Sequence, residues 1–313
     1  MKAKAPYIQR SPLKWAGSKY RVMPRLLPHM PAAAHCIDLF AGSGTVFLNT
    51  DYPRYTLCDN NIALINFFWC LTVRSEELIN QAFRLFTDSH NKSDYLKHRE
   101  EFNKIATGRD WDSERLTRFA ALFLYLNRHS FNGLWRTNKA GEFNVPFNKK
   151  RLPYFPFKEL RLFAEKARDT RTTFMCLDFR HVLADTDIFR YGSNTVIYCD
   201  PPYLPIDGKD SFTQYNGKKF TSEDHRELVT RLVHASHRHG ARVVISNSDT
   251  EETREIYAPF ELHTLNVNRS VAASGKKRQP AKEIIGIYPP KSTAYTDWPA
   301  FLNTIQHTTT EII

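Results

Sequence analysis

The chain has 313 residues, of which 42% are hydrophobic, so it can bury one substantial core with room for a smaller second unit. No apolar run reaches membrane-spanning length and the N-terminus lacks the apolar centre of a signal peptide, which argues against membrane and secreted proteins and predicts a cytoplasmic one. The five cysteines show no paired spacing, so we expect reduced thiols and no metal site.

The net charge of +11 is concentrated in two stretches that contain no acidic residue. One is residues 1–37, with seven Lys or Arg, and the other runs from Arg269 to Lys282. Such surfaces attract polyphosphates and give salt-dependent binding. The alternative is a basic chain that its charge merely keeps soluble.

The first predicted strand runs from Ala34 to Phe40 and is followed at once by Ala41-Gly42-Ser43-Gly44 and an apolar helical stretch. Glycines at such a turn let the backbone approach a ligand, at the place where doubly wound sheets bind nucleotides. The second strand, Tyr55–Cys58, ends in Asp59, whose carboxylate suits the two hydroxyls of a ribose without a 2′-phosphate.

The middle of the chain has helical spacing of apolar residues through Ile62 to Phe86, Tyr95 to Ile105 and Leu116 to Leu126. Residues 119–126 are apolar nearly all round and are therefore predicted to be buried. In the following segment, residues 127–141, polar, aromatic and turn-forming residues alternate, as expected of a ribbon that reads a DNA groove.

Strand patterns return after this segment, and the last two predict an antiparallel ribbon at the sheet edge. We predict an α/β fold, a doubly wound Rossmann-like sheet with an inserted helical domain. The predicted strands are Thr172–Leu177, Thr195–Cys199, Arg242–Ser246, Glu261–Val267 and Glu283–Tyr288. The predicted units are a discontinuous catalytic domain of residues 10–65 and 169–290, a helical recognition domain of residues 66–168 with its ribbon at about 127–147, and loosely ordered tails of residues 1–9 and 291–313.

The tetrapeptide Asp200-Pro201-Pro202-Tyr203, at the end of a predicted strand, suits chemistry on an exocyclic amine. Such an amine is a poor nucleophile because its lone pair is delocalised into the ring. The Asp200 carboxylate and the Pro201 carbonyl can each accept one of its hydrogens, while Tyr203 stacks on the base. Prolines fix the turn and carry no N–H that competes for these acceptors. The alternative is a tight turn that only ends the strand.

These motifs together resemble the Dam family of DNA adenine-N6 methyltransferases, over about residues 11 to 290. The resemblance lies in Leu13-Lys14-Trp15-Ala16-Gly17-Ser18-Lys19, Asp38-Leu39-Phe40-Ala41-Gly42-Ser43-Gly44, Leu124-Tyr125-Leu126-Asn127-Arg128, Phe131-Asn132-Gly133-Leu134, Arg136, residues 141–147, Asp200-Pro201-Pro202-Tyr203 and Ile245-Ser246-Asn247. Two positions depart from the family pattern: Leu39 stands for its usual Pro, and Gly17-Ser18 for its paired glycines.

The resemblance implies S-adenosylmethionine as methyl donor, the motif order of the alpha group and duplex DNA as substrate. It implies transfer to adenine N6 within GATC by base flipping, catalysed by Asp200, Pro201, Pro202 and Tyr203. We expect a monomer without an obligatory protein partner, encoded by a bacterium or a phage. The expected donor-binding residues are Trp15, Lys19, Asp38, Gly42, Gly44, Asp59 and Asp200, and the expected DNA-binding residues are Lys14, Phe131, Asn132, Leu134, Arg136 and Pro146.

Other interpretations stay open on the sequence alone. The same tetrapeptide occurs in methyltransferases that act on RNA or on other amines, and a DNA-binding protein with a silent pocket is a further class. Arg136 has the fork to bind a guanine edge, but a phosphate contact is the alternative. His225, His234, His237 and His239 are assigned to a polar helix face without a function.

Overall fold

The fold is that of a computed structural model, which describes residues 7–89, 91–108, 111–148, 153–204, 214–215, 218–267 and 281–289. Residues 1–6, the greater part of the basic stretch from Arg269 to Lys282, and the C-terminal tail 291–313 lie outside the described residues. At the N-terminus, Ile8 packs against the core and Gln9 donates its backbone N–H to Asn49 Oδ1 at 2.7 Å.

The chain contains both strands and helices, and in its middle part five helices follow one another. The strands are β1 (His35–Asp38), β2 (Arg54–Cys58), β3 (Thr173–Met175), β4 (Thr195–Cys199), β5 (Gln214–Tyr215), β6 (Lys218–Lys219), β7 (Arg242–Ser248), β8 (Glu261–Val267) and β9 (Ala281–Tyr288). The helices are α1 (Met23–Leu26), α2 (Thr45–Asn49), α3 (Ile62–Val73), α4 (Ser75–Asp88), α5 (Lys92–Thr107), α6 (Ser113–His129), α7 (Phe157–Asp169), α8 (Phe179–Ala184), α9 (Ser222–His239) and α10 (Glu251–Ile256).

Seven of these strands form one sheet in the order β3-β2-β1-β4-β7-β9-β8. The first five are parallel, whereas β9 runs antiparallel to both β7 and β8. The chain leaves β1 towards β2 and β3, then returns to the other side of β1 with β4, which makes the β1–β4 pair the topological switch point. Open α/β sheets bind ligands beyond the carboxyl ends of the strands at this point. The predicted α/β class and the antiparallel edge ribbon are confirmed.

Two hydrophobic clusters pack on the two faces of the sheet. One contains Ile37, Ile197 and the apolar side of α9, and the other contains Cys36 and Leu57. This second cluster continues without a break into helices α3 to α7. Residues 119–126 of α6 are completely buried within it, as predicted. The helical segment therefore shares a core with the sheet, and its assignment as a separate domain stays a proposal.

Several of the predicted elements have different bounds in the structure, and two of these differences have a clear physical cause. The helical run from Ile62 to Phe86 is two helices, because Arg74 has non-helical backbone angles (φ −133°, ψ 37°) and Ser75 begins a new helix with Glu76 and Glu77 in its first turn. Strand β1 is shorter than the predicted run and ends at Asp38, since the chain turns there into the glycine loop. Among the described residues, no helix is both long and apolar enough to cross a membrane.

Candidate active site

Three carboxyl groups lie at the carboxyl ends of three adjacent parallel strands. Asp38 ends β1, Asp59 follows β2 and Asp200 follows β4, with β1 between the other two. Burial is the largest cause that raises the pKa of each of them, and for Asp38 the neighbouring charge of Asp200 adds to it. An edge so rich in carboxyl groups repels phosphates and favours a ligand that carries positive charge.

Asp59 is held by the loops on both sides of it. Its Oδ2 accepts the backbone N–H of Gly42 at 3.1 Å, and its Oδ1 accepts that of Asn61 at 3.0 Å. Burial raises its pKa to about 6, partly offset by these backbone donors. A third backbone donor, Asn60, also lowers this pKa, so main-chain groups fix the carboxylate at the end of β2. The remaining acceptor capacity of its two oxygens can serve hydroxyl groups of a ligand.

Asp38 is the most deeply placed of the three, with 2% of its surface exposed. Among the described residues, no donor reaches its Oδ1. A buried carboxylate oxygen without a hydrogen bond is costly, so this atom is suited to a ligand that brings its own donor. A cationic group with N–H donors would satisfy it.

The glycine loop passes close to Trp15. Gly42 has a φ of +48°, and a Cβ at this position would lie 3.1 Å from Trp15 Nε1. Gly44, also with positive φ, would place a Cβ 3.0 Å from the ring of Phe163. Gly17, in the N-terminal segment that also carries Trp15, has a φ of +79° and open space where a Cβ would be. The two glycines of the loop are therefore required by backbone conformation and by close packing.

Asp200 is bound on both of its oxygens. Lys19 Nζ lies 2.5 Å from Oδ2, and Ser246 Oγ donates to Oδ1 at 2.9 Å. Lys19 is 6% exposed and also donates to the Gly17 carbonyl at 3.1 Å. Its ammonium lies 4.7 Å from the centre of the Tyr203 ring. The corner between Asp200 and Tyr203 thus holds a positively charged nitrogen against a carboxylate and an aromatic ring.

The two carbonyl groups that precede Tyr203 differ in their hydrogen bonds. The Pro202 carbonyl accepts from His225 Nε2 at 3.0 Å, and the Tyr203 hydroxyl donates to Glu283 Oε2 of β9 at 3.0 Å. Within the described part of the chain, no group donates to the Pro201 carbonyl. This carbonyl directly follows Asp200 in the loop.

The predicted ribbon is a hairpin with a short turn from Asn138 to Glu142. Instead of regular strands it has two isolated antiparallel bridges, Ser130 with Phe147 and Thr137 with Phe143. Its inward side chains, including Trp135 and Val145, are buried. Leu134 is half-buried at the base of the hairpin. Among the exposed side chains are four of those assigned to DNA: Phe131, Asn132, Arg136 and Pro146.

Lys14, which precedes Trp15 in the N-terminal segment, connects that segment to the hairpin. Its backbone exchanges two hydrogen bonds with the Asn127 side chain, at 2.9 and 2.7 Å. Its Nζ donates to the Arg128 carbonyl, and burial followed by the charge of Arg128 lowers its pKa. Gly133 lies directly against it, since a Cβ on Gly133 would be 2.2 Å from the Cβ of Lys14.

The sequence profile of the D12 class N6 adenine-specific DNA methyltransferase family matches residues 15–271. The chain belongs to this family. It is 40% identical to the DNA adenine methylase of Vibrio cholerae over 90% of this chain and 97% of that protein. It is also 40% identical to the DNA adenine methylase of Escherichia coli K12 over 90% and 96% of the two chains. The DNA N-6-adenine-methyltransferase of Escherichia phage P1 is 40% identical over 90% of this chain but only 36% of its own length.

In this D12 methyltransferase the predicted site residues form two groups. The residues assigned to the donor and to catalysis converge at the carboxyl edge of the sheet, whereas those assigned to DNA lie on the hairpin and on Lys14. Lys19, assigned to the donor site, contacts Asp200 and Tyr203. No cluster suited to a metal ion occurs among the described residues.

Several residues that contact the catalytic loop were missed by sequence reasoning. Ser246 and Asn247 belong to a motif of the resemblance, but no role was assigned to them; their position at the end of an apolar strand next to β4 was the available signal. Glu283 had no signal, because the β9 register that places it near Tyr203 is a tertiary property.

The assignment of His225 to a polar helix face is wrong. The residue is completely buried, whereas His234 and His237 are exposed as expected and His239 stacks on Phe189 at 4.4 Å between ring centroids. The spacing in α9 contained the signal, since Leu228, Val229 and Leu232 follow His225 at three, four and seven residues. His225 therefore lies on the apolar face of its helix.

Proposed function

We propose that this protein transfers the methyl group of S-adenosylmethionine to N6 of adenine in duplex DNA, within the sequence GATC. The target base is rotated out of the helix, because its amine is inaccessible while it is stacked. The protein acts as a monomer. Family membership supports adenine N6 methylation of DNA, and the donor, the recognition sequence and the base rotation are the finer parts of this proposal.

The observation that carries the proposal is the position of the Lys19 ammonium. It lies against the Asp200 carboxylate and over the Tyr203 ring, so this corner binds a nitrogen with N–H donors and positive charge. The amine of a flipped adenine has the same requirements, because it becomes positively charged as it attacks. Lys19 is a stand-in for this amine and moves aside when the base enters.

The chain's own groups supply orientation and charge stabilisation. Asp200 and the Pro201 carbonyl accept the two amine hydrogens and draw the nitrogen towards tetrahedral geometry. Tyr203 holds the base plane by stacking, and its hydroxyl is fixed by Glu283. Fixed acceptors of this kind stabilise a developing positive charge without reorganising during the reaction. Bound S-adenosylmethionine would supply a methyl group made electrophilic by its sulfonium.

The donor fits the other two carboxylates. Asp38 offers a buried oxygen without a partner to the α-ammonium, and Asp59 offers two oxygens to the ribose hydroxyls. Gly42 lets the loop pass close to Trp15, and Gly44 lets it pack against Phe163; both residues are assigned to the donor site with Trp15. The whole ligand carries sulfonium and ammonium charges, which suits an edge with three carboxyl groups.

DNA binds on the hairpin side. We assign Arg136 to a guanine edge, Phe131 to the stack that the flipped base leaves, and Lys14 to a further base. The Arg136 Nε donates to Asn144 Oδ1 at 2.8 Å, which aims its terminal nitrogens outward. Asn132, Leu134 and Pro146 complete the contact surface.

The experiment is methyl transfer from isotope-labelled S-adenosylmethionine to duplexes that contain GATC or the same site with one base pair changed. We expect N6-methyladenine in the first duplex alone. Arg136→Ala should reduce the preference between the duplexes by about 10- to 100-fold, the value of a bidentate base contact. Lys139→Ala, an exposed charge on the same hairpin, should leave it unchanged.

Each alternative gives a different result. Transfer to both duplexes contradicts the proposed recognition sequence, but it agrees with the assignment of the protein as a DNA methyltransferase. Transfer to RNA in preference to DNA favours an RNA methyltransferase, and DNA binding without any transfer favours a silent site occluder.

A further inference from the structure

His225 lies beneath the catalytic loop with both ring nitrogens bound. Its Nε2 is 3.0 Å from the Pro202 carbonyl and its Nδ1 is 3.1 Å from the Tyr257 hydroxyl. The ring is completely buried and packs edge-on against Phe220 at 4.7 Å between centroids. Because protein groups occupy both of its nitrogens, a role in the reaction has to act through the loop.

The partners of the ring determine its tautomer. A carbonyl oxygen only accepts, so Nε2 carries the proton that is donated to Pro202. Nδ1 then accepts from the Tyr257 hydroxyl, whose oxygen accepts from Asn247 Nδ2 at 3.0 Å. Burial lowers the pKa of His225 to about 4, so the ring is neutral near pH 7 and can accept at Nδ1.

The same chain of hydrogen bonds returns to the loop. Asn247 Oδ1 accepts the backbone N–H of Leu204 at 3.2 Å, and also that of Ser248 at 2.8 Å, which fixes the orientation of the amide. Pro202 and Leu204 are the two neighbours of Tyr203. Three completely buried side chains, His225, Tyr257 and Asn247, thus connect the peptide groups on either side of the residue that stacks on the base.

We propose that His225 is a positioning residue for methyl transfer: by holding the Pro202 carbonyl, it fixes the ring of Tyr203 and leaves the Pro201 carbonyl as the acceptor for the amine. This inference rests on the proposed function. The two successive carbonyls of Pro201 and Pro202 are chemically alike, so they are distinguished by the donor that only one of them accepts from. His225 is that donor, and Tyr257 and Asn247 hold it in the required tautomer.

The test combines steady-state kinetics with NMR. His225→Phe keeps a ring of similar shape but has no donor, and we expect kcat to fall by about 10- to 100-fold, since misplacing reacting groups costs this much. The KM values for DNA and for S-adenosylmethionine should stay within about threefold of wild type, because the contacts with both ligands remain. Tyr257→Phe should lower kcat by a smaller factor, and His234→Gln, an exposed histidine on the same helix, should have no effect.

The imidazole nitrogen shifts of the wild-type protein provide a readout that does not depend on turnover. We expect His225 to be neutral with its proton on Nε2, with the signal assigned by its loss in His225→Phe or, should that variant not fold, by its change in Tyr257→Phe. A proton on Nδ1 overturns the proposal. A kcat within about twofold of wild type in a folded His225→Phe, or in Tyr257→Phe if the first does not fold, also overturns it. A wild type that transfers no methyl group refutes the proposed function and this inference together, before any variant is compared.

Discussion

At the residue scale, the clearest constraints on the sequence come from positions where the structure disfavours any residue but glycine. Gly133 and Gly141 lie on the same hairpin, with φ values of +66° and +82°. They differ in surroundings, because Gly133 contacts Lys14 and Gly141 has open space around its Cα. The motif around Gly133 was visible in the sequence, but the contact with Lys14, more than a hundred residues away, was not.

Alanine substitutions at these two glycines separate the stability cost of close packing from the cost of backbone conformation. Gly141→Ala should cost about 1 kcal/mol of stability, the penalty of a positive φ alone. Gly133→Ala should cost a further 1–3 kcal/mol, about the price of overpacking, because its Cβ displaces Lys14. It should also weaken DNA binding, since Lys14 and the hairpin then separate. Urea unfolding and DNA titration measure both effects; equal losses in the two variants contradict the packing explanation.

Other residues show why prediction from sequence was incomplete. Asp59 and Asp200 could be placed in advance because each follows a predicted strand, and parallel strands bring their carboxyl ends to one edge. Asp38 lay inside the predicted run from Ala34 to Phe40 and was assigned by the resemblance alone. The ion pair of Lys19 with Asp200 and the hydrogen bond of Ser246 could not be predicted, since they depend on side-chain conformation across the sheet.

At the scale of elements, the sheet edge determines how donor binding responds to pH. Burial raises the pKa of Asp59 from an ordinary value of 3.8 to about 6 and raises those of Asp38 and Asp200 as well. A carboxyl group with a raised folded pKa contributes stability that is present below its unfolded pKa and is lost as the pH rises through the folded value. For Asp59 this window lies between 3.8 and about 6. Above this pH window, a bound cationic ligand offsets the free energy that the buried carboxyl groups lose when they ionise.

The thermal shift produced by S-adenosylmethionine should therefore be larger at about pH 7.5 than at about pH 5, where Asp59 is largely protonated. Asp59→Asn, which cannot ionise, should bind the donor more weakly and lose most of this difference. Glu101→Gln is the control, because the ionic partners of Glu101 hold its pKa at about 2, outside the window. Equal shifts at both pH values in the wild type would show that Asp59 does not contact the donor.

The helices illustrate the limit of periodicity. It correctly marked α6 as buried, yet it merged α3 and α4, since a break at one residue leaves the apolar spacing on both sides intact. For His225, the spacing of apolar residues correctly indicated burial, whereas the residue type indicated exposure. Histidine is often exposed, but here tertiary partners bind both of its nitrogens.

At the scale of the whole molecule, composition predicted the kind of partner but not its place. The charge of +11 indicated a polyanion. In the fold, the basic N-terminal stretch reaches the catalytic edge through Lys19 and the hairpin through Lys14. The shared core of sheet and helices was not predictable from local patterns, because it depends on which faces meet.

The charge leads to a prediction about salt. DNA affinity should fall by about 10³-fold or more between about 50 and 200 mM monovalent salt, as expected for a protein that neutralises several phosphates. Affinity for S-adenosylmethionine should change by less than about threefold, because its site is buried and poorly screened. Fluorescence titrations of both ligands provide the comparison. A DNA affinity that is insensitive to salt would exclude a phosphate-dominated interface.

The most direct test of the catalytic assignment is Asp200→Asn, which keeps the shape of the side chain and removes its charge. The variant should bind DNA within about threefold of wild type, yet its rate of methyl transfer at saturating S-adenosylmethionine should fall by about 10³-fold, since the fixed charge facing the amine is lost. Glu101→Gln, a carboxylate paired with Arg118 outside the site, should transfer at the wild-type rate. Near-normal transfer by Asp200→Asn would contradict the assignment of the carboxyl end of β4 as the reaction centre.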